Sequence, residues 1–265
     1  MHSNPTRHRR AFTLTELLTV VGLISLLVSL LMPLVTKVRT AADATACLST
    51  LRQMGAAWTM YTVENRGRLP HYVSLGTSPT PDAAWYGYWT GILDKYEVRG
   101  DSILCAAAAE EVETGSNRGF GNVGRAWSGK YSPSGSALRF NNMTHRASSY
   151  GYNGYLVAGK PYGFGSCVGG VKPASDVPAF FDCAYADALP YNYPESSLVS
   201  PPPNLRGDQL GMSSADHWRF LLARHGRGIN VCMADGSARW VRLEETYSLT
   251  WHQGWVSYRL QLPTK

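Results

Sequence analysis

The chain has 265 residues, of which 44% are hydrophobic and only 17% are charged. The hydrophobic fraction is sufficient for one or two packed domains, and the charged fraction lies below the quarter that is usual in soluble proteins. The formal charge of +6 comes with no dense Lys/Arg patch after the first ten residues, so a nucleic-acid-binding protein is not expected.

The N-terminus combines a basic segment with a long apolar run. Residues 1–11 (MHSNPTRHRRA) are basic, and no charged residue occurs from Leu17 to Thr36. Twenty residues of helix span about 30 Å, the thickness of the hydrocarbon core of a membrane. Because the basic residues come first, the leader is predicted to stay in the cytoplasm and the rest of the chain to emerge on the other side.

Three interpretations of this N-terminus compete. An uncleaved signal anchor needs only the basic and the apolar segments. A secretory signal peptide would be cut near Ala42-Asp43-Ala44, but its apolar region is usually roughly 7–15 residues long, shorter than the run in this chain. A prepilin-type cut between Ala11 and Phe12 also explains Glu16, an acidic residue at the edge of the apolar span.

Glu16 requires a partner if it enters the membrane. An ionised carboxylate costs on the order of 2.5–3.5 kcal/mol near the bilayer centre and less near the interface. A cut before Phe12 creates an α-amine with a pKa of about 8, which is mostly cationic at neutral pH. That amine would pair with Glu16 of a neighbouring subunit and offset both charges.

Residues 9–16 (RRAFTLTE) resemble the prepilin motif of type IV pilins and type II secretion pseudopilins. In that family a small residue, usually Gly, precedes the cut. The aromatic residue after the cut becomes N-methylated, and Glu is fifth in the mature chain. Ala11, Phe12 and Glu16 match these positions, with Ala in place of Gly. Pro33 matches a proline that the family often carries in this helix, where it kinks or locally melts it.

The resemblance implies a structural function and no enzymatic activity. A prepilin peptidase would cut after Ala11, and the helix would assemble with other pilin or pseudopilin subunits. The product would be a type II secretion pseudopilus or a type IV pilus-like fibre. The subunit would cross the inner membrane once, with a cytoplasmic N-terminus and an extracytoplasmic soluble domain. The alternative is a membrane-anchored extracytoplasmic binding module that does not polymerise.

The pattern of the chain predicts four segments. They are a leader over 1–11, a transmembrane half of a long helix over 12–36, an amphipathic half over 37–66 and a soluble β-rich domain over 67–265. The amphipathic half is predicted from apolar or small residues at three- and four-residue spacing. These are Val38, Ala41, Thr45, Leu48, Leu51, Gly55, Trp58 and Tyr61.

The ends and breaks of the helix follow from two residue types. Pro33 has no backbone N–H, so it is expected to interrupt the helix. Gly67 follows Asn65-Arg66 and can adopt the left-handed conformation that closes a helix. The predicted fold class is α+β and pilin-like, with this helix packed on a mainly antiparallel β-sheet domain that has long loops.

Beyond residue 67, short apolar or aromatic runs alternate with turn residues. Strands and loops are expected at residues 85–89, 148–155 and 179–182. Long connections are expected at 115–135 and 189–211. These boundaries follow from local pattern alone.

The clearest signal of the soluble domain is a β-hairpin over 224–241. Apolar residues alternate from Ile229 to Met233, and Asp235-Gly236 is a strong turn signal. The segment also resembles the C-terminal motif of prepilin-like proteins from planctomycetes and verrucomicrobial relatives, in which a His is followed nine residues later by Asp-Gly. His225, Asp235 and Gly236 have this spacing. The resemblance assigns them no function.

Further positions resemble the same group of proteins less specifically. They are Cys105, residues 149–153 (SYGYN) and residues 249–252 (LTWH). The five cysteines form no CxxC pair, so a zinc ribbon or a thioredoxin-type motif is not expected. Disulfides become possible if the domain is exported, but the sequence does not determine which cysteines pair.

Catalytic and metal sites have little support in the sequence. His225 and Asp235 are accompanied by no G-x-S-x-G, H-E-x-x-H or P-loop motif. No cofactor is expected, with calcium as a minor alternative because some pseudopilins hold it in a loop. Its oxygen ligands would come from the acidic residues of the soluble domain. These are Asp182, Asp187, Glu195, Asp208 and Asp216.

Overall fold

The computed structural model of the protein describes residues 13–71, 89–108, 120–128, 147–159, 163–165, 167–171, 173–190, 202–207 and 218–263. The predicted leader and Phe12 lie outside these ranges, as do most of residues 85–89 and 115–135. The contacts divide the chain into two units, Met1–Ala42 and Asp43–Lys265.

Helix α1 (Leu14–Glu64) has 51 residues and runs through Pro33 without a break. The expected interruption is therefore wrong. A proline at position 33 removes the backbone hydrogen bond that the Ser29 carbonyl would accept. The neighbouring hydroxyl groups bond to other carbonyls. Ser29 Oγ donates to the Leu26 carbonyl at 2.7 Å, and Thr36 Oγ1 donates to the Pro33 carbonyl at 3.0 Å.

In the first unit, α1 presents apolar side chains to its surroundings. The large hydrophobic residues from Leu14 to Val35 are all about half exposed or more, with Leu14 at 80% and Met32 at 67%. Among the residues that the structure describes, α1 is the one helix that is long and apolar enough to cross a membrane. A signal sequence near an N-terminus meets the same criterion, so the helix by itself supports a single membrane span only weakly.

In the second unit, the end of α1 packs into the core of the domain. Its buried residues recur at helical spacing, so one face of the helix is covered. They are Cys47, Leu51, Met54, Gly55, Ala57, Trp58 and Thr62. The predicted stripe is confirmed at Leu51, Gly55 and Trp58, whereas Ala41 and Thr45 are exposed because the covered face begins only at Cys47.

The helix ends as the sequence predicts. Gly67 has a φ of 75°, and its N–H donates to the Thr62 carbonyl at 2.6 Å. This left-handed residue satisfies a carbonyl that the helix leaves free at its C-terminus. The chain then forms an antiparallel bridge between Arg68 and Cys167.

The described part of the domain contains a short helix and seven strands. They are α2 (Trp89–Asp94), β1 (Trp127–Ser128), β2 (Ala147–Ser148), β3 (Tyr150–Asn153), β4 (Pro178–Asp182), β5 (Asp187–Ala188), β6 (Gly228–Met233) and β7 (Ala238–Arg242). Strands β1 and β2 pair with each other, and the other five form a sheet in the order β5-β3-β4-β6-β7. Three of its pairings are antiparallel and β3–β5 is parallel. The coarse prediction of a long apolar helix and a mainly antiparallel sheet is confirmed.

Two local predictions are wrong because tertiary contacts decide the conformation. Trp89, expected in a strand or a loop, begins helix α2, and its indole N–H donates to the Ala186 carbonyl at 2.7 Å. Trp127 falls in the connection predicted over 115–135 but lies in strand β1. Its indole N–H donates to the Tyr150 carbonyl, also at 2.7 Å. Both rings are buried.

The five-stranded sheet is covered on both faces. Successive residues of a strand point to opposite sides, so Phe180 and Phe181 of β4 enter different cores. The ring of Phe180 packs edge-on against Trp58 of α1, with centroids 6.1 Å apart. The ring of Phe181 packs edge-on against Trp251 of the C-terminal segment at 5.0 Å. The sheet therefore lies between α1 and the C-terminal segment, and Asn153 Nδ2 donates to the Trp251 carbonyl at 3.0 Å.

Candidate functional site

The first turn of α1 is closed by two residues of the same chain. The Thr13 N–H donates to Glu16 Oε2 at 2.9 Å, and the Glu16 N–H donates to Thr13 Oγ1 at 3.3 Å. This reciprocal arrangement is a capping box, which satisfies backbone donors at the start of a helix. Glu16 is exposed and already has a local structural function in the isolated chain. The predicted cleavage residues Ala11 and Phe12 lie outside the described residues.

The second candidate is a buried polar cluster at the carboxyl end of β4. Asp182 is the last residue of that strand, and Arg224 and His225 lie in the turn before β6. Arg224 Nη1 is 3.4 Å from Asp182 Oδ1, and His225 Nε2 is 3.3 Å from Asp182 Oδ2. The side chains of Asp182 and Arg224 are 0% exposed and that of His225 is 2% exposed. The Asn230 N–H also donates to Asp182 Oδ2, at 2.7 Å.

Arg224 connects several loops through its guanidinium group. Besides Asp182, it donates to the carbonyl oxygens of Asn122 at 2.8 Å and Cys183 at 3.4 Å, and to that of Ser149. Its Nε donates to the Val123 carbonyl at 3.4 Å. A guanidinium group has five N–H donors in a fixed plane, so it can bind this many acceptors without water. Through these bonds Arg224 joins the loops to one another, so its function in the fold is structural.

A disulfide lies next to this cluster. Cys47 of α1 is bonded to Cys105, with Cα atoms 5.2 Å apart and a sequence separation of 58 residues. The Cys105 Sγ is 3.4 Å from His225 Nε2. Tyr150 donates its hydroxyl proton to the Cys47 carbonyl at 3.4 Å. Burial raises the pKa of Tyr150 far above its usual value, and the nearby Asp182 carboxylate raises it further, so the phenol stays neutral.

The Asp235-Gly236 pair of the hairpin is not part of this cluster and forms the turn between β6 and β7. Asp235 Oδ1 accepts hydrogen bonds from the Ser237 N–H at 2.9 Å and the Ser237 hydroxyl at 2.6 Å, which fixes the turn. Gly236 has a φ of 85°. A Cβ added to Gly55 of α1 would lie 2.9 Å from the Gly236 carbonyl oxygen, so the turn is in close contact with the helix.

The acidic residues proposed for calcium do not form one site among the described residues. Asp182 is bound by Arg224 and His225. Asp187 Oδ1 accepts a hydrogen bond from Arg219 at 2.8 Å in a mostly buried ion pair. Both carboxylates are therefore neutralised by cations of the chain itself. Glu195, Asp208 and Asp216 lie outside the described residues.

Comparison of the chain with protein-family models, with curated proteins and with solved structures finds no match. The geometry alone therefore defines the candidate site. Sequence reasoning selected His225 but missed Arg224 and the pairing of Cys47 with Cys105. A signal for the ion pair was present, since Asp182 and Arg224 are opposite charges that each follow an apolar run, AFF and FLLA.

Proposed function

We propose that this protein is a prepilin-type structural subunit. A prepilin peptidase cuts it after Ala11, and its N-terminal helix assembles in the inner membrane with other pilin or pseudopilin subunits. The product is a type II secretion pseudopilus or a type IV pilus-like fibre. The soluble domain then lies on the extracytoplasmic side.

The proposal is carried by the exposed apolar surface of α1. The described residues from Leu14 to Val38 bury none of their large hydrophobic side chains, and the same helix continues into the core of the domain. An apolar surface of this size needs lipid or other helices as neighbours. Glu16 is the one acidic residue of this stretch, which supports an assembly function for its charge.

The capping box favours a second candidate, a membrane-anchored binding module that does not assemble. Because Thr13 and Glu16 already bond to each other, Glu16 is explained without a neighbouring subunit. The two candidates differ in what they need from Glu16. Assembly needs its negative charge, whereas the capping box needs only an acceptor at that position.

Three variants separate these requirements. Glu16→Gln removes the charge but keeps a residue that closes a capping box. Thr13→Val removes the cap and keeps the charge, and Glu16→Ala removes both. If the charge serves assembly, Glu16→Gln and Glu16→Ala should abolish fibres or secretion while remaining in the membrane, and Thr13→Val should retain activity. Fibres formed by Glu16→Gln would show that the charge is not required.

Processing is tested separately by mass spectrometry of the membrane-extracted protein. We expect a mature chain that begins at Phe12 and carries an N-methyl group. An intact residue 1, or a chain that begins near residue 45, would exclude prepilin processing. The second result would instead indicate a secretory signal peptide.

A further inference from the structure

Three side chains with metal-binding atoms converge next to the buried ion pair. The sulfur atoms of Cys47 and Cys105 and a ring nitrogen of His225 all lie within 4.8 Å of one another. Cys47 comes from α1, Cys105 lies between two short 3₁₀ helices, and His225 lies in the turn before β6. The fold thus gathers one ligand from each of three distant stretches of chain.

The donor atoms suit a borderline-soft divalent ion. Two sulfurs and one imidazole are ligands that zinc prefers, at about 2.3 Å for sulfur and about 2.0 Å for nitrogen. At a tetrahedral angle these bonds place sulfur and nitrogen about 3.6 Å apart. The observed separation of Cys105 Sγ and His225 Nε2 is 3.4 Å. Asp182 Oδ2, 3.3 Å from the same nitrogen, stays outside the ligand set, because it accepts a hydrogen bond from the Asn230 N–H at 2.7 Å and its carboxylate pairs with Arg224.

We propose that the reduced protein binds a zinc-type divalent cation through the sulfurs of Cys47 and Cys105 and the Nε2 of His225. The disulfide is then the metal-free, oxidised state of the same site. A thiol or phosphine reductant supplies two electrons, and two protons are taken up to give two thiols. Binding of the cation displaces both protons and leaves two metal-bound thiolates.

The charges of the cluster balance in either state. In the oxidised state, the Asp182 carboxylate faces the Arg224 guanidinium group, and both are fully buried. In the metal-bound state, the dication compensates the two thiolates, and the pair of Asp182 and Arg224 remains. Neither state leaves a net charge in the interior, which would be costly.

Both states connect α1 to the same loop. The disulfide closes a loop with a sequence separation of 58 residues, and a metal held by Cys47 and Cys105 would close the same loop. Reduction without metal opens it. Because a ligand that binds only the folded state stabilises that state, the cation should restore the stability that reduction removes.

Cobalt(II) is the spectroscopic probe for this site. The full-length chain in detergent is reduced with a phosphine under anaerobic conditions and titrated with Co²⁺. We expect thiolate-to-cobalt charge transfer and the intense ligand-field bands of tetrahedral cobalt, saturating at one ion per chain and lost on addition of Zn²⁺. The oxidised chain should show neither, and Zn²⁺ should raise the Tm of the reduced chain only.

Variants assign the ligands. The double variant C47S/C105S should lose the charge-transfer bands, and Cys105→Ser alone should weaken them because the Cys47 thiolate remains. His225→Gln should shift the ligand-field bands and weaken binding. Cys232→Ser is the matched control, since this buried free thiol is not one of the three ligands and its removal should leave the spectrum unchanged. Equal bands in the oxidised and reduced wild-type chains, or no bands in the reduced one, would overturn the proposal without any variant. Charge-transfer bands that persist in C47S/C105S would place the ion elsewhere and overturn it too.

Discussion

Removal of Arg224 tests whether the buried cluster stabilises the fold. Arg224→Met preserves much of the side-chain volume but removes the guanidinium partner of the Asp182 carboxylate at a place where both side chains are 0% exposed. Removing one partner of a buried ion pair lowers the free energy of unfolding by about 3–5 kcal/mol, because the charge of the other partner loses its compensation. For a domain of this size, that corresponds to a fall in Tm of roughly 6–20 °C.

The matched control is an ion pair at the surface. Arg99 Nη2 lies 2.6 Å from Glu97 Oε2, closer than the 3.4 Å between Arg224 and Asp182, but its side chain is 58% exposed. Exposed pairs contribute about 0–1 kcal/mol because water screens the charges and the side chains lose entropy. Arg99→Met should therefore change the free energy of unfolding by less than about 1 kcal/mol. Arg224→Met and Arg99→Met are expected to differ because the first ion pair is buried and the second is exposed, not because of the distance between the charged groups.

A double-mutant cycle completes the test. Asp182→Asn should be about as costly as Arg224→Met, and the two together should cost less than their sum by about 2–3 kcal/mol, since no buried charge is then unpaired. Each free energy of unfolding is measured by denaturant titration of the full-length chain in detergent, with tryptophan fluorescence as the signal. Additive effects, or an Arg224→Met variant as stable as Arg99→Met, would refute the reasoning.

Two further predictions concern packing and thiols. A Cβ on Gly55 would lie 2.7 Å from Cys232 Sγ. Gly55→Ala should therefore destabilise the domain by about 1–2 kcal/mol, because the cost of overpacking exceeds the gain in helix propensity. Gly169→Ala, with nothing within 4 Å, should change stability by less than about 0.5 kcal/mol in the same denaturation assay. Burial raises the pKa of Cys183 and of Cys232 to about 12, so iodoacetamide at about pH 8 should modify only the exposed Cys167 of the native chain. Mass mapping that finds a second modified cysteine before reduction would contradict the assignment of thiols and disulfide.

The elements that could be predicted are those whose signals are local. The helix stripe through Leu51 and Trp58, the left-handed Gly67 and the Asp235-Gly236 turn each follow from residues a few positions apart. The hairpin has the predicted strands, with Cys232 opposite Ala238 at its closed end. Such signals depend on backbone geometry, which the local sequence determines.

The cluster could not be predicted because its members are distant in sequence. Asp182 and Arg224 are 42 residues apart, and Cys47 and Cys105 are separated by 58. Five cysteines allow many pairings, and periodicity does not select among them. Long-range packing decides these features.

The spacing between His225 and Asp235 follows from the length of a strand. Strand β6 has six residues between the turn that holds His225 and the turn that holds Asp235. At about 3.3 Å per residue, six residues extend about 20 Å, far beyond any hydrogen bond. The two residues therefore cannot act as a catalytic pair, and the acid that contacts His225 is Asp182. The motif instead marks the two ends of one buried strand, His225 next to the disulfide and Gly236 against Gly55 of α1.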